Sequence, residues 1–314
     1  MKKFRIATIG LPPNDGTHRL ALAHHPAFEL AKGDATDLDA IVVASPPASH
    51  VEDVLAALGR GLHVIVAPPF ALDVAGAQRM TDAAKAAGKE CGVAYEFRFV
   101  PQAQATKELI VNKHLGPMRS IEIARQNGAL RGSTRYERGW WFERGTGGGV
   151  AAAGLAHSID LALWFAGRPP QGASGLVRTA NPERRDKDGT FAATADDGAF
   201  ALLDFGDGLA ARLSEDRTAP VESYVCAVYG EDRVAVSSGR DVDATTLYTV
   251  DDDETNELQC APSPHAKAAA TFGNVVFTMD FYDELATQIE TGTSALPTFA
   301  EALEVQRVVS AIGG

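Results

Sequence analysis

The chain has 314 residues, 45% of them hydrophobic, which suits a globular protein of two domains and excludes an extended disordered tail. A formal net charge of −12 opposes any broad basic surface, so nucleic acid and anionic membrane are poor partners and a small ligand is the better expectation. Three cysteines, Cys91, Cys226 and Cys260, stand without Cys-x-x-Cys spacing, which argues against a zinc ribbon or a disulfide framework and for buried thiols in a reducing compartment.

No apolar run approaches the roughly 18 to 20 residues of a membrane span. Met1-Lys2-Lys3-Phe4 leads directly into a short strand rather than a signal sequence, so a soluble, cytoplasmic protein is expected.

Strand and helix signals alternate in the first hundred residues. Phe4 to Ile9 reads as a strand ending at Gly10, Thr17 to His25 as a helix with Thr17 as a possible N-cap, and Phe28 to Ala31 as a second strand. Ala40 to Ala44 is a continuous apolar run of the kind buried on both faces of a parallel sheet. Ser49 to Arg60 carries Val51, Val54, Leu55 and Leu58 at helical spacing. His63 to Val66 (strand), Val74 to Gly88 (helix) and Gly92 to Tyr95 (strand) continue the alternation, which predicts a doubly wound parallel sheet over residues 1–100.

From Pro101 the pattern changes. A helix over Pro101 to Lys113 precedes alternating runs at Met118 to Arg125, Phe200 to Phe205, Leu209 to Ser214 and Tyr224 to Tyr229. A glycine-rich turn and helix lies at Gly145 to Phe165, and a last helix at Phe299 to Ala311. Residues 101–314 therefore read as an α+β domain with a large, mainly antiparallel sheet. The charged stretches Asn181 to Gly189 and Asp251 to Glu257 read as solvated loops.

Many short motifs in one order carry a resemblance. They are AIVVASPPASHVEDVLAAL (Ala40 to Leu58), GLHVIVAPPFAL (Gly61 to Leu72), Tyr95-Glu96-Phe97-Arg98-Phe99, Lys107-Glu108-Leu109-Ile110 and Leu115-Gly116-Pro117. Gly147-Gly148-Gly149 with His157-Ser158-Ile159-Asp160, and Leu296-Pro297-Thr298, complete the set. Together they resemble the glucose-fructose oxidoreductase and inositol dehydrogenase (Gfo/Idh/MocA) family, which implies a truncated Rossmann-like domain followed by the α+β domain. The resemblance implies hydride exchange between a sugar or polyol carbon and NAD or NADP, which needs bound phosphates, a base for the hydroxyl proton and alignment of both reactants. It also implies a homo-oligomer, a dimer or tetramer, because members of the family pair through the faces of their second-domain sheets.

Four departures touch that machinery. Gly10-Leu11-Pro12-Pro13-Asn14-Asp15-Gly16 replaces Gly-x-Gly-x-x-Gly, and proline has neither the slimness nor the N–H that phosphate binding asks for. Only Lys32 to Asp39 separate the second strand from Ala40, too few for a helix and a third strand, so Asp34 is the one candidate for the acid that holds the adenosine ribose. The family's Glu-Lys-Pro signature stands here as Ala67-Pro68-Pro69, and proline cannot carry a proton. Ala153 occupies the place of an aspartate four residues before the base.

His157 matches the family's base, and a neutral imidazole can accept a hydroxyl proton. Glu96 is a second candidate for acid–base work, against the plainer reading of an ion pair with Arg98 or another arginine. The resemblance places cofactor contacts at Gly10, Ser45, Pro46, His50 and Pro69. It places substrate contacts at Arg98, Trp140, Trp141 and Asp160, where aromatic faces suit a sugar ring; the aromatics equally suit a subunit interface. Arg131, Arg135, Arg138 and Arg144 around the aromatic segment could attract a carboxylated or phosphorylated ligand, or be ordinary surface charge. His24 and His25 are adjacent on one helix end, and His18, His63, His114 and His265 lack ligand spacing, so no metal is expected. Two functions stand open: an NAD(P)-linked sugar or polyol oxidoreductase, or a ligand-binding protein that keeps the fold without turnover.

Overall fold

The structure is a computed structural model that describes residues 3–11, 16–89, 91–132, 134–252, 254–267, 275–293 and 295–313. It divides into two compact units, residues Met1–Phe99 with Pro262–Gln306 and residues Val100–Ala261 with Arg307–Gly314. The expected division at residue 100 therefore needs a correction: 262–306 return to the first unit. The reason is helix α6 (Val275–Thr291), whose Val275, Met279, Tyr282 and Leu285 join Ile6, Leu22, Phe28 and Ile65 in one core. Side chains of this size each contribute about 1.5–3 kcal/mol on burial.

The first unit holds a five-stranded parallel sheet in the order β2-β1-β3-β4-β5. Its strands are β1 (Phe4–Ile9), β2 (Phe28–Leu30), β3 (Ala40–Val43), β4 (His63–Val66) and β5 (Cys91–Val93). Helices α1 (His18–His24), α2 (Pro47–Gly59) and α3 (Val74–Ala87) connect them. All four residues of β3 are buried, as a strand covered on both faces requires. Asp73 caps α3 by accepting a hydrogen bond from Gly76 N at 2.7 Å. The last helix, α7 (Phe299–Gly313), starts from a capping box: Glu301 Oε2 accepts from Thr298 N at 2.8 Å, and Glu301 N donates to Thr298 Oγ1 at 3.2 Å.

The second unit is built on an eight-stranded sheet in the order β15-β14-β13-β12-β6-β11-β10-β7. These are β6 (Met118–Gln126), β7 (Gly172–Arg178), β10 (Gly198–Gly206), β11 (Leu209–Asp216), β12 (Ser223–Gly230), β13 (Val234–Gly239), β14 (Thr245–Val250) and β15 (Thr255–Leu258). Only the β6–β11 pair is parallel. Strand β10 alternates strictly, with Ala199, Ala201, Leu203 and Phe205 buried and Phe200 and Leu202 exposed. Helices α4 (Pro101–Val111) and α5 (Ala156–Ala166) belong to this unit.

Two regions differ from expectation. In the charged stretch Asn181 to Gly189, β8 (Glu183–Arg185) pairs with β9 (Thr190–Ala192), and Arg184 is buried with its Nη2 2.8 Å from Asp197 Oδ2. The stretch from Arg144 to Ala166 is long and apolar enough to cross a membrane by mean composition, although no single apolar run suggests it; 78% of its most apolar 18-residue window is buried inside the fold, as a core helix is.

Candidate functional site

On the cofactor side, β1 ends at Gly10 with φ +79°, where an added Cβ would overlap the backbone of Ser45. Only glycine fits this crossing of β1 against the turn after β3, so the first glycine of the fingerprint keeps its packing role. Pro12 and Pro13, on which the loss of the other glycines rests, lie outside the described residues. Ser45 Oγ donates to Asp53 Oδ2 at 2.5 Å. The His50 ring sits between two carbonyls, Nε2 2.6 Å from Ser45 O and Nδ1 3.1 Å from Phe70 O, and burial lowers its pKa against the pull of those carbonyls. His50 thus braces the turn after β3 against the loop before α3, and the Ser45 side chain ties the same turn to α2. Pro46 adjoins the start of α2, and Pro69 follows Pro68 through a cis peptide bond.

Glu96 and Arg98 lie in a 3-10 turn, Glu96–Phe99. Arg98 is 3% exposed and its Nη1 bonds Glu301 Oε1 at 2.9 Å. Burial works against the Glu301 carboxylate, but Arg98 and the Thr298 bonds outweigh it and hold its pKa low. Glu96 Oε1 accepts from Thr278 Oγ1 at 3.3 Å and lies 3.7 Å from His18 Nε2, while His18 Nδ1 is 3.0 Å from Tyr282 Oη. The carboxylate is therefore engaged by α1 and α6.

In the second unit, Trp140–Phe142 form a 3-10 turn, Arg144–Thr146 another, and Ala151–Leu155 a π-helical turn that runs into α5. His157 lies half-buried in the first turn of α5, and Asp160, one turn on, is fully buried. The π turn is fixed at both ends. Asp196 Oδ2 accepts from Ala151 N at 2.7 Å, and Gly149, at φ +119°, has no room for a Cβ beside that carboxylate. Burial pushes the Asp196 carboxyl up, with the Ala151 bond opposing. At the other end, a Cβ on Gly154 would lie 2.6 Å from Glu215 Oε1 and 2.7 Å from Arg217 Nη2. Wide turns of this kind concentrate at functional positions.

Glu215, Arg217 and Arg125 form a cluster that motif reading did not find. Arg217 Nε bonds Glu215 Oε1 at 2.6 Å, and the Arg217 guanidinium lies 5.4 Å from the Trp141 ring centre. Arg125 grips Asp241 with two bonds of 2.8 and 2.9 Å and reaches Glu215 at 3.7 Å; burial opposes its charge, and the two carboxylates outweigh burial. The signal in the sequence was the register of β11, which turns Glu215 to the covered face with Ala211 and Leu213. Trp140 and Trp141 pack edge to face at 5.7 Å. Arg138 pairs with Asp186 at 3.4 Å over the Phe191 ring, and Arg144 Nη1 donates to Gly313 O at 3.1 Å.

His25, His265 and Asp283 bring their ligand atoms within 4.8 Å of one another, which sequence spacing did not suggest. Ala27 N–H donates to His25 Nδ1 at 3.2 Å, so the neutral ring carries its proton on Nε2, 3.1 Å from Asp283 Oδ1. A protonated Nε2 is no metal ligand. The group reads as two imidazoles on one carboxylate, with His265 Nε2 2.8 Å from Asp283 Oδ2.

A parallel dinucleotide-type sheet, a mixed eight-stranded sheet and a histidine after a triple glycine define a two-unit oxidoreductase class. The model for the oxidoreductase family's NAD-binding Rossmann fold matches residues 18–95, and that for the GFO/IDH/MocA C-terminal domain matches residues 103–236. The chain belongs to the Gfo/Idh/MocA oxidoreductase family. It is 30% identical over 150 residues to an uncharacterized oxidoreductase from Synechocystis, covering 48% of this chain and 40% of that protein. It is 30% identical over 128 residues to glucose-6-phosphate 3-dehydrogenase from Bacillus subtilis, covering 40% of this chain and 36% of that enzyme. The match thus spans well under half the length of either relative. Among solved structures, levoglucosan dehydrogenase in complex with NADH and L-sorbose superposes with a TM-score of 0.86 at 20% identity, over 99% of this chain and 96% of that one, a likeness of fold.

Proposed function

We propose that the protein binds a nicotinamide dinucleotide and interconverts a secondary alcohol and a ketone on a sugar or polyol, with His157 as the base that takes the hydroxyl proton. The observation that carries this reading is His157 in the first turn of α5, behind a π turn fixed by Asp196, Glu215 and Arg217. Family membership and relatives named as sugar dehydrogenases support the substrate class. When bound, the cofactor supplies the hydride acceptor. The imidazole removes the proton from the substrate oxygen as the carbon gives up hydride, and returns it in the reverse direction. Gly10 and the turn at Ser45–Pro46 would adjoin the cofactor; Glu96, held by Thr278 near His18, is left out of the acid–base step.

A second reading, ligand binding without turnover, is favoured by Pro68 and Ala153, which remove the two polar groups the resemblance pairs with the base. A cofactor titration with a turnover assay separates the readings. Purified protein should bind NADH in the micromolar range, about −8 kcal/mol, and reduce NAD in the presence of a sugar or polyol from a panel. His157→Ala should abolish turnover while leaving the unfolding transition in place. Binding without any turnover supports the second reading, and equal activity of His157→Ala and parent removes His157 from the reaction.

The outer face of the second-unit sheet carries Leu176, Phe200 and Leu202, each exposed, around a groove of about 480 Å³, with exposed Tyr229 beyond it. An apolar sheet face of this extent supports pairing with a second copy of the chain. Three free cysteines support a reducing, cytoplasmic setting.

A further inference from the structure

A dinucleotide fold is assembled from two mononucleotide-binding halves in the strand order 3-2-1-4-5-6, with the acid for the adenosine ribose at the end of the second strand. The second half is whole here, as β3-α2-β4-α3-β5. The first half is β1-α1-β2 alone. After Leu30 the chain passes through residues 31–39 directly into β3, with no helix or strand between. Strand β2, three residues long, is left at the sheet edge with β1 as its one neighbour.

The short connection is closed by its own bonds. Arg60 Nη1 and Nη2 donate to Gly33 O at 3.0 Å and Ala35 O at 2.7 Å, and Ala35 N donates to Lys32 O at 3.1 Å. Arg5 N donates to Asp39 Oδ2 at 2.7 Å, and the Arg5 guanidinium pairs with Asp37. A turn fastened at both ends cannot open into the missing wall. Asp34, the one acid in the expected place, is exposed.

We propose that the cofactor site is cut back to its mononucleotide half: the protein recognises the nicotinamide ribotide and leaves the adenosine in solvent. This rests on the cofactor reading above. It follows that the protein neither selects nor rejects a 2′-phosphate, and that reduced nicotinamide mononucleotide binds nearly as well as the dinucleotide.

The test is calorimetric titration of the full chain with NADH, NADPH, reduced nicotinamide mononucleotide and ADP-ribose, repeated on Asp34→Ala. The expected result is NADH and NADPH within about threefold of each other, the mononucleotide within about tenfold of NADH, and ADP-ribose more than about tenfold weaker than NADH. Asp34→Ala should leave all these affinities within about twofold. A mononucleotide more than about tenfold weaker than NADH, ADP-ribose as tight as NADH, or Asp34→Ala weakening NADH but not the mononucleotide overturns the proposal while leaving cofactor binding intact. Failure of all four ligands overturns the cofactor reading itself.

Discussion

Replacing Gly149 by alanine tests whether the π turn before His157 is held as the geometry indicates. The new Cβ meets two separate penalties. At φ +119° an L residue occupies a sparsely populated region, at a cost of about 1–3 kcal/mol. The same methyl overlaps the Asp196 carboxylate, which must turn away and surrender its 2.7 Å bond from Ala151 N. Leaving that buried pair unmade adds about 1–3 kcal/mol, so a total of about 2–6 kcal/mol is expected. Urea unfolding followed by tryptophan fluorescence reports on the right region, since Trp140, Trp141 and Trp164 all lie in the second unit. Gly139→Ala, where nothing lies within 4 Å of the added carbon, is the matched control and should fall within about 0.5 kcal/mol of the parent. A Gly149→Ala protein within about 1 kcal/mol of the parent would refute the reasoning, because neither penalty could then be present.

Other outcomes follow from the same geometry. Arg184→Met should cost about 3–5 kcal/mol by taking from the 1% exposed Asp197 carboxylate its nearer cation and leaving only Arg178 at 4.0 Å, measurable as a lowered urea midpoint, whereas Arg212→Met, at an exposed arginine paired with Glu122, should change stability by under about 1 kcal/mol. Burial opposes ionisation of Asp283, but His25 and His265 outweigh it and hold its pKa below the usual carboxylate range. A depressed carboxylate stabilises the fold above its unfolded pKa and loses that contribution as pH falls through the folded value, so thermal scans from pH 6 down to about pH 2 should show a decline that Asp283→Asn flattens. Burial pushes the Cys226 thiol up to about 12, so a thiol reagent at neutral pH should modify the half-buried Cys260 first and spare Cys226 until the protein unfolds. Phe200→Asp with Leu202→Glu should shift the protein to monomer in sedimentation while the far-UV circular dichroism of the folded chain is retained, since both side chains are exposed in the single chain.

The parallel sheet was legible because β1, β3 and β4 are short apolar runs bounded by turn residues, and burial on both faces leaves that pattern little freedom. Helix α6 was not. Its sequence begins Val275-Val276-Phe277-Thr278, β-branched and aromatic residues that favour strands locally, and it is helical because its apolar stripe packs on a core some 250 residues earlier in the chain. The hairpin β8–β9 was hidden for a different reason: Arg184 looks like one charge among many until Asp197, at the bend before β10, is brought beside it. At the candidate site, His157 could be named from its neighbours in sequence. Asp196, Glu215 and Arg217, which fix its turn, come from β10 and β11 and their flanks, and pairings of that range are not written in any local motif.

The return of residues 262–306 to the first unit sets an order of assembly on the ribosome. Ile6, Leu22 and Phe28 leave the exit tunnel early, but the helix that covers them is made about 250 residues later. At roughly 5–20 residues per second, the interval between completion of β5 and arrival of Val275 is on the order of ten to forty seconds. Through that time the opening sheet carries an uncovered apolar face, and the stretch Val100–Ala261, which makes up the second unit apart from Arg307–Gly314, is free to fold first. The nascent chain should therefore acquire its middle before its beginning.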